Sequence, residues 1–325
     1  MARLGRWIFI AGVITILLFA HIPRTSVLAQ QDQGQITIVF DFSHDQLFSP
    51  QKRNFTQAID YLAAKPEYFI RILEEGDLTA ENLTRSHILV LANPGKNYSS
   101  TEHEVISNFT AQGGALFLLS DYQVTERPIG NPLALNDILQ AIGILGIRFT
   151  TFIEENETQG DAIIDPLNSQ VLPYNVEVDE TYLSTDLSRG VISAGIESLI
   201  VAGGSLTTSN PNFIMSTGSD TSQAVSLTGQ AISNQPAWLA AFTYENSQIV
   251  LCTSTTMFTD TYCAATNSSW FESSDNALLW SNIIRWMALP LVQDPTPIMM
   301  FFVAIVLLAG IFLFVYSVWL KRRGR

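Results

Sequence analysis

Four short apolar runs, ITIVFD (36–41), YFIRIL (68–73), HILVLANP (87–94) and ALFLLSD (115–121), are separated by stretches whose apolar residues recur at helical spacing. That alternation constrains the chain more than any other feature. Short runs rich in β-branched and aromatic residues are strands buried on both faces. Strands alternating with helices build a parallel sheet with helices on both sides. Phe55, Ile59 and Leu62 share one face of a first helix over 55–64. SSTEHEVISNFTAQGG (99–114) opens on Ser/Thr caps with a Glu near the third helical position and closes on paired glycines. Val105, Ile106 and Phe109 form its apolar stripe, and Thr101, Glu104, Asn108 and Gln112 its wet one. Leu135, Ile138, Leu139 and Ile142 mark a further helix. Asn93-Pro94 ends the third strand, because proline has no N–H to give to a ladder.

From about 150 to 235 the pattern loosens into short apolar runs among Asn, Ser, Thr, Gly and Pro. We expect a strand- and loop-rich subregion laid against the sheet, not a separate domain. AWLAAFTYENSQIVLCTSTTMFTD (237–260) then predicts two strands around a Glu245-Asn246-Ser247 turn, a hairpin that extends the sheet antiparallel. A closing helix follows in SSDNALLWSNIIRWMA (273–288), capped by Ser273, Ser274 and Asp275. Asn276 and Asn282 on that helix are expected to bond buried loop backbone, and Trp280 and Trp286 to lie on its apolar stripes. The fold class is α/β, a flavodoxin-like, mostly parallel sheet spanning 30–290.

The two ends predict a location. Residues 298–320 are 23 residues without a charge, enough to cross a hydrocarbon core, which needs about 20. Lys321, Arg322, Arg323 and Arg325 follow, and basic flanks stay on the cytoplasmic side. At the start, Arg3 and Arg6 precede an apolar stretch from Trp7 to Ala20, with Val27 and Ala29 at the −3 and −1 positions of a secretory cleavage site. Residues 1–29 are thus a signal peptide or an uncleaved anchor, 291–297 a short stiff linker, 298–320 a transmembrane helix and 321–325 a cytoplasmic tail. The main domain is expected outside the cytosol, on a single-pass membrane protein.

Composition narrows the partners. Residues 30–296 hold all 30 acidic residues and 10 of the 17 basic ones, a formal charge of −20. That balance excludes nucleic acid as a ligand and disfavours anionic lipid. Cys252 and Cys263 are the only cysteines. In an oxidising exterior they are expected to pair as a disulfide, and no second Cys/His pair at ligand spacing supports a zinc site. Asn-x-Ser/Thr sequons begin at Asn54, Asn82, Asn97, Asn108, Asn156 and Asn267, which fits a glycosylated surface protein.

The strand ending DFSHD (41–45), the run LTAENLTRSHILVLANPGKNYSSTEHEVISNFTAQGGALFLLSDY (78–122), and the late hairpin with SSDNALLWSNIIRWM together resemble the class I glutamine-amidotransferase-like superfamily. Within it they look similar to a non-enzymatic branch. That branch includes gliding-motility auxiliary proteins of ABC transporters and the amidotransferase-like domain of an intraflagellar transport subunit. The resemblance implies an accessory role in a membrane complex. It stops short of the enzymes, which need a Cys on a strand-to-helix elbow activated by a His that a Glu orients. Here Ser120-Asp121 stands at the elbow, and His44, His87 and His103 fall in no His-x-Glu pair. Gly-x-Ser-x-Gly is absent as well, which argues against a serine hydrolase. No cofactor is implied.

In open α/β sheets ligands sit beyond the carboxyl ends of the strands. Those ends carry Asp41, His44, Asn93, Ser120, Asp121 and, after the late strand, Asp260. One reading is a polar crevice for a ligand or a hard cation held by the carboxylates. The cheaper reading is that these residues cap and turn the chain, with Asp41 bonding amides of the loop that holds His44. We expect a catalytically silent domain that binds a partner or ligand. The alternatives are a metal-assisted hydrolase using the acidic rim and a structural or adhesive surface module.

Overall fold

The computed structural model describes residues 35–292, apart from 125–126, 129–130, 155–156, 170–171, 173 and 187, together with single positions at 310, 316, 319, 322 and 323. Strand β1 (Ile36–Asp41) lies between β2 (Tyr68–Leu73) and β3 (Ile88–Ala92), with β4 (Ala115–Leu119) beyond β3. All four run parallel, Asp41 standing level with Leu73 on one side and Leu91 on the other. Helices α1 (Thr56–Ala63), α2 (Ser100–Ala111) and α3 (Pro132–Ala141) follow β1, β3 and β4. This is the strand order 2-1-3-4 of a flavodoxin-like sheet.

Period-2 alternation divides the core. Ile38, Phe40, Val90 and Phe117 point to one face, under α1 and the closing helix, while Val39, Leu89, Leu91 and Leu118 point to the other, under α2 and α3. The closing helix, α4 (Asn276–Val292), plugs the first face. Its Trp280 is fully buried with ring centroids 4.9 Å from Phe258, 5.6 Å from Phe117 and 5.9 Å from Phe55, and its indole N–H donates to the Ala58 carbonyl. Burying such a ring with its one polar atom satisfied is worth several kcal/mol, and truncation to alanine costs about 3–5.

The late half departs from expectation in two ways. The remaining sheet strands are β5 (Ile147–Phe149), β6 (Leu206–Thr208), β7 (Ile214–Thr217), β8 (Ala237–Tyr244) and β9 (Ser247–Cys252). Strand β9 pairs parallel with β4 and antiparallel with β8, so of the hairpin only β8 runs against the first four strands. The loose region does not merely lie against the sheet either, since its β6 and β7 pair antiparallel with β8 and, with β5 antiparallel beyond β6, bring the sheet to nine strands. Strands of three or four residues show too little alternation to be seen in sequence. The rest of the region forms separate two- and three-stranded ribbons.

Asp275 does not cap α4 as expected. Its Oδ2 instead accepts the amides of Glu197 and Ser198, tying a neighbouring loop to the helix start. Asn276 accepts the Ile200 amide and donates to the carbonyls of Ile200, Met257 and Trp270, and Asn282 donates to Ile192 and Ala194, the loop bonding anticipated for both. The expected disulfide is not formed: Cys252 and Cys263 are free and buried. Cys252 packs in the large core under α4, and Cys263 in a satellite cluster with Ile200, Ala202 and Trp270. Burial pushes the Cys252 thiol up to about 12, so it behaves as a small hydrophobe.

The signal segment 1–29, residues 293–297 of the expected 291–297 linker and the sequon at Asn156 lie outside the described residues, as does the 298–320 segment except at Gly310, Tyr316 and Trp319, while Leu291 and Val292 continue α4 instead of opening the linker. Among the described residues no helix is long and apolar enough to cross a membrane. Asn97, Asn108 and Asn267 are exposed, and Asn54 and Asn82 half-buried.

Candidate functional site

Strand β1 ends where the strand order reverses. The helix after β1 lies on one face of the sheet and the helix after β3 on the other, so the two connections part and leave room beyond the carboxyl ends. Asp41 sits at this point with 0 % of its surface exposed. Ser43 donates its amide (3.0 Å) and hydroxyl (2.6 Å) to Asp41 Oδ1, and the Tyr98 hydroxyl donates to Oδ2 at 2.8 Å. His44 Nδ1 lies 2.9 Å from the same Oδ2.

The other face of the imidazole finds a second carboxylate. His44 Nε2 is 3.1 Å from Glu102 Oε1, and the ring stacks on Tyr98 with centroids 3.9 Å apart. An imidazole that bonds a carboxylate through each nitrogen donates from both, which makes it an imidazolium. Burial opposes that charge, but the bond and field of Asp41, then those of Glu102, outweigh it and raise the His44 pKa. Burial would likewise raise Asp41, yet the bonds from His44 and Ser43 hold its carboxyl below the usual range. Glu102 is also held low: burial is outweighed by amides of Leu78 and Ser99. Burial, reinforced by Asp41, drives the Tyr98 phenol well above its ordinary value.

Glu102 came from an element read for another purpose. It is the third helical residue of a capping box, in which Ser99 accepts the Glu102 amide while the Ser99 amide and hydroxyl donate to Glu102 Oε2, both at 2.8 Å. Its other oxygen accepts the Leu78 amide and faces His44. The Ser99-x-x-Glu102 pattern announced the cap and gave no sign of the ion pair.

Around this network lie polar atoms with nothing to bond. Asn93 follows β3, is 1 % exposed and has a positive φ of 50°, and neither its Nδ2 nor its Oδ1 has a partner. Gln46 donates to the Asp41 carbonyl at 2.9 Å, while its buried Oε1 is also unpartnered. A buried polar atom left unpaired costs about 1–3 kcal/mol, so such groups call for a reason. The loops after β1 and β3 are pinned together here. Gly95 and Lys96 donate their amides to the His44 carbonyl at 2.8 and 3.0 Å. A Cβ on Gly95 would stand 2.5 Å from the Asp45 carbonyl, so only glycine allows this approach.

The remaining predicted positions separate from this pocket of charge. Ser120, after β4, is buried, its amide donating to the Cys252 carbonyl and its carbonyl accepting from Thr255. No strained elbow forms there. Asp121 is also buried, its Oδ1 accepting the Tyr122 amide and its Oδ2 the Thr256 amide and hydroxyl. With no cation beside it, burial raises its carboxyl well above the usual range despite those bonds. Nearby Asp161 is raised by burial too, bonded to Ser205.

Asp260 does not contribute to a rim site. Its two oxygens accept the amides of Thr56 and Gln57 at 2.7 and 2.8 Å, capping α1 from across the chain because Phe55 at the N-cap position has no side chain that can. Asp41, Asp121 and Asp260 are thus each occupied by their own donors. Among the described residues no group of three His, Cys, Asp or Glu side chains is placed to hold a metal ion.

No protein-family model and no curated protein matches the sequence. Among solved structures, the mmIFT52 N-terminal domain superposes with a TM-score of 0.57 at 16 % identity, covering 78 % of this chain and 97 % of that one. A ThuA-like protein from Parabacteroides merdae ATCC 43184 gives a TM-score of 0.43 at 9 % identity, covering 79 % and 90 % of the two chains. Another from Bacteroides uniformis ATCC 8492 gives 0.42 at 10 % identity, covering 81 % and 96 %. The chain shares the fold of that IFT52 domain, and at 16 % identity the likeness extends to the fold alone.

Proposed function

We propose that this chain is a non-enzymatic recognition domain, carried outside the cytosol on a single C-terminal membrane span, that binds a partner or ligand at the β1–β3 rim. In the branch its sequence resembles, such a domain serves as an accessory of an ABC-type transport or other membrane complex. The observation that carries the reading is the state of His44. A general base needs a free lone pair aimed at its substrate, and both His44 nitrogens are committed to carboxylates inside the protein. The group that would do chemistry is a structural cation. Asn93 and Gln46, in contrast, hold unpartnered donor and acceptor atoms ready for another molecule. The membrane anchor rests on the uncharged 298–320 segment and the basic tail behind it, and the glycosylated exterior on the sequons.

The test uses the full chain in its own membrane, with a photo-activated cross-linker replacing exposed Lys96 beside the rim. The expected result is one discrete adduct that disappears in Asn93→Gly, with the chain resisting alkaline extraction and only its tail shielded from external protease. Hydrolysis of glutamine or an activated ester by the purified chain, lost in His44→Gln, would overturn the non-enzymatic reading.

A further inference from the structure

A second site lies at the turn end of the β8–β9 hairpin, the opposite end of the sheet from His44. A cavity of about 250 Å³ opens there, and Arg189, Gln248, Phe213, Phe242 and Trp286 are among the residues that line it. Two of its polar side chains are built into the protein. Arg189 is 7 % exposed, and Gln248, near the start of β9, is 8 % exposed. Arg189 Nη1 donates to the carbonyls of Ile214 and Ala241, and Nη2 to Asp186 Oδ2 at 3.1 Å. A guanidinium has five N–H donors, so two are left over. Gln248 Oε1 is buried and has no partner at all. Phe213 and Phe242 stack with centroids 4.2 Å apart, giving the cavity an apolar wall, and the Trp286 indole is fixed by its bond to the Ser188 carbonyl.

We infer that this cavity binds a small neutral ligand through a secondary amide, whose N–H meets Gln248 Oε1 and whose C=O meets Arg189. Three other chemical classes fail on charge or on pairing. A cation would satisfy Gln248 but face the Arg189 guanidinium. A carboxylate would satisfy Arg189 but leave Gln248 Oε1 unpaired, and it would sit beside Asp186, which already pairs with the arginine and is held below the usual carboxyl range by bonds from Ser188. A purely apolar group would leave both polar side chains buried and unpaired. A trans secondary amide supplies a donor on one edge and an acceptor on the other, and its small apolar flank suits the phenylalanine wall. The volume, below the ~300–1,000 Å³ of larger ligand sites, limits the ligand to one ring or a smaller group. Both an acetamido sugar and a simple alkyl amide carry this chemistry.

Saturation-transfer NMR on the full chain in detergent tests it, with N-acetylglucosamine and N-methylacetamide as probes. The controls are N,N-dimethylacetamide, which lacks the N–H, acetate, which is anionic, and glucose, which lacks the amide. Transfer is expected to both secondary amides and to none of the controls, with at least a tenfold loss of affinity in Gln248→Leu. Transfer to N-acetylglucosamine well above that to N-methylacetamide assigns an acetamido sugar, and equal transfer assigns the amide group alone; both support the site. Equal transfer to N,N-dimethylacetamide, unchanged binding in Gln248→Leu, or no transfer to either amide at millimolar concentration would overturn it. The dimethylacetamide control decides the matter even if the variant fails to fold.

Discussion

Strands β1 and β4, with β3 between them, both lead into a buried aspartate, and the two carboxyl pKa values are displaced in opposite directions. Asp41 is ionised beside an imidazolium, whereas Asp121, surrounded only by amides and a hydroxyl, is raised well above the ordinary carboxyl range. Burial acts on both in the same direction. What separates them is one cation, delivered by the three-residue step from Asp41 to His44 and secured by Glu102 from another element. Position at a strand tip therefore says little about a carboxylate's chemistry; the sign of the nearest charge says nearly everything.

The largest effect is expected from removing that cation. His44→Leu leaves Asp41 and Glu102 buried without a counter-charge, and breaking such a pair costs about 3–5 kcal/mol. For a domain of this size the melting temperature should fall by on the order of 10 °C. Because His44 is raised, its contribution is fully present below 6.5 and is lost as pH rises through the higher folded value. Asp41 is lowered, so its contribution is present above 3.8 and is lost as pH falls through the lower folded value. The deficit of the variant should therefore peak between these limits, which thermal unfolding across a pH series will show.

Asp121→Asn should behave differently. It costs about 1–3 kcal/mol, since the amide turns a donor towards Thr256 or Tyr122. Asp121 is raised, so its contribution is fully present below 3.8 and drains away as pH climbs through the folded value. The deficit should shrink steadily with rising pH, with no central maximum. Matching pH profiles for the two variants would break the contrast between the two strand tips.

Asp260→Ala removes the remote cap of α1 and should cost about 1 kcal/mol, as read by denaturant unfolding. The smallest effect is expected at Asn93. Its backbone is left-handed and its amide unpaired, so Asn93→Gly should change stability by less than about 1 kcal/mol. A loss beyond roughly 2 kcal/mol would mean that the carboxamide is satisfied within the fold and is not held ready for a ligand.

These outcomes also measure what the residues disclosed in advance. The parallel sheet, its helices and the bond from an amide of the His44 loop to Asp41 were legible, because apolar periodicity and a two-residue separation are local signals. Glu102 and Tyr98 were not legible as partners of His44, since only the crossover from β1 to β3 brings them there. Asp260 was assigned to the rim because a cap supplied to Thr56 from 204 residues away leaves no trace in the pattern. The place of β5 to β7 in the main sheet was not legible, because strands of three or four residues carry too little pattern to fix their pairing. The cavity at Arg189 and Gln248 was equally invisible, as its lining comes from four separate segments.

The Glu102 carboxylate has a consequence for how this sequence can change over generations. One side chain serves as helix cap, as anchor for the Leu78 amide and as counter-ion to His44. Replacing it by glutamine preserves most of the cap and the anchor but strands half the imidazolium's charge. Replacing His44 first strands two carboxylates instead. Neither order offers a neutral first step, so lineages that abandon this arrangement must cross a fitness valley or alter both positions together. A homologue carrying a neutral residue at position 44 is therefore expected to carry one at 102 as well.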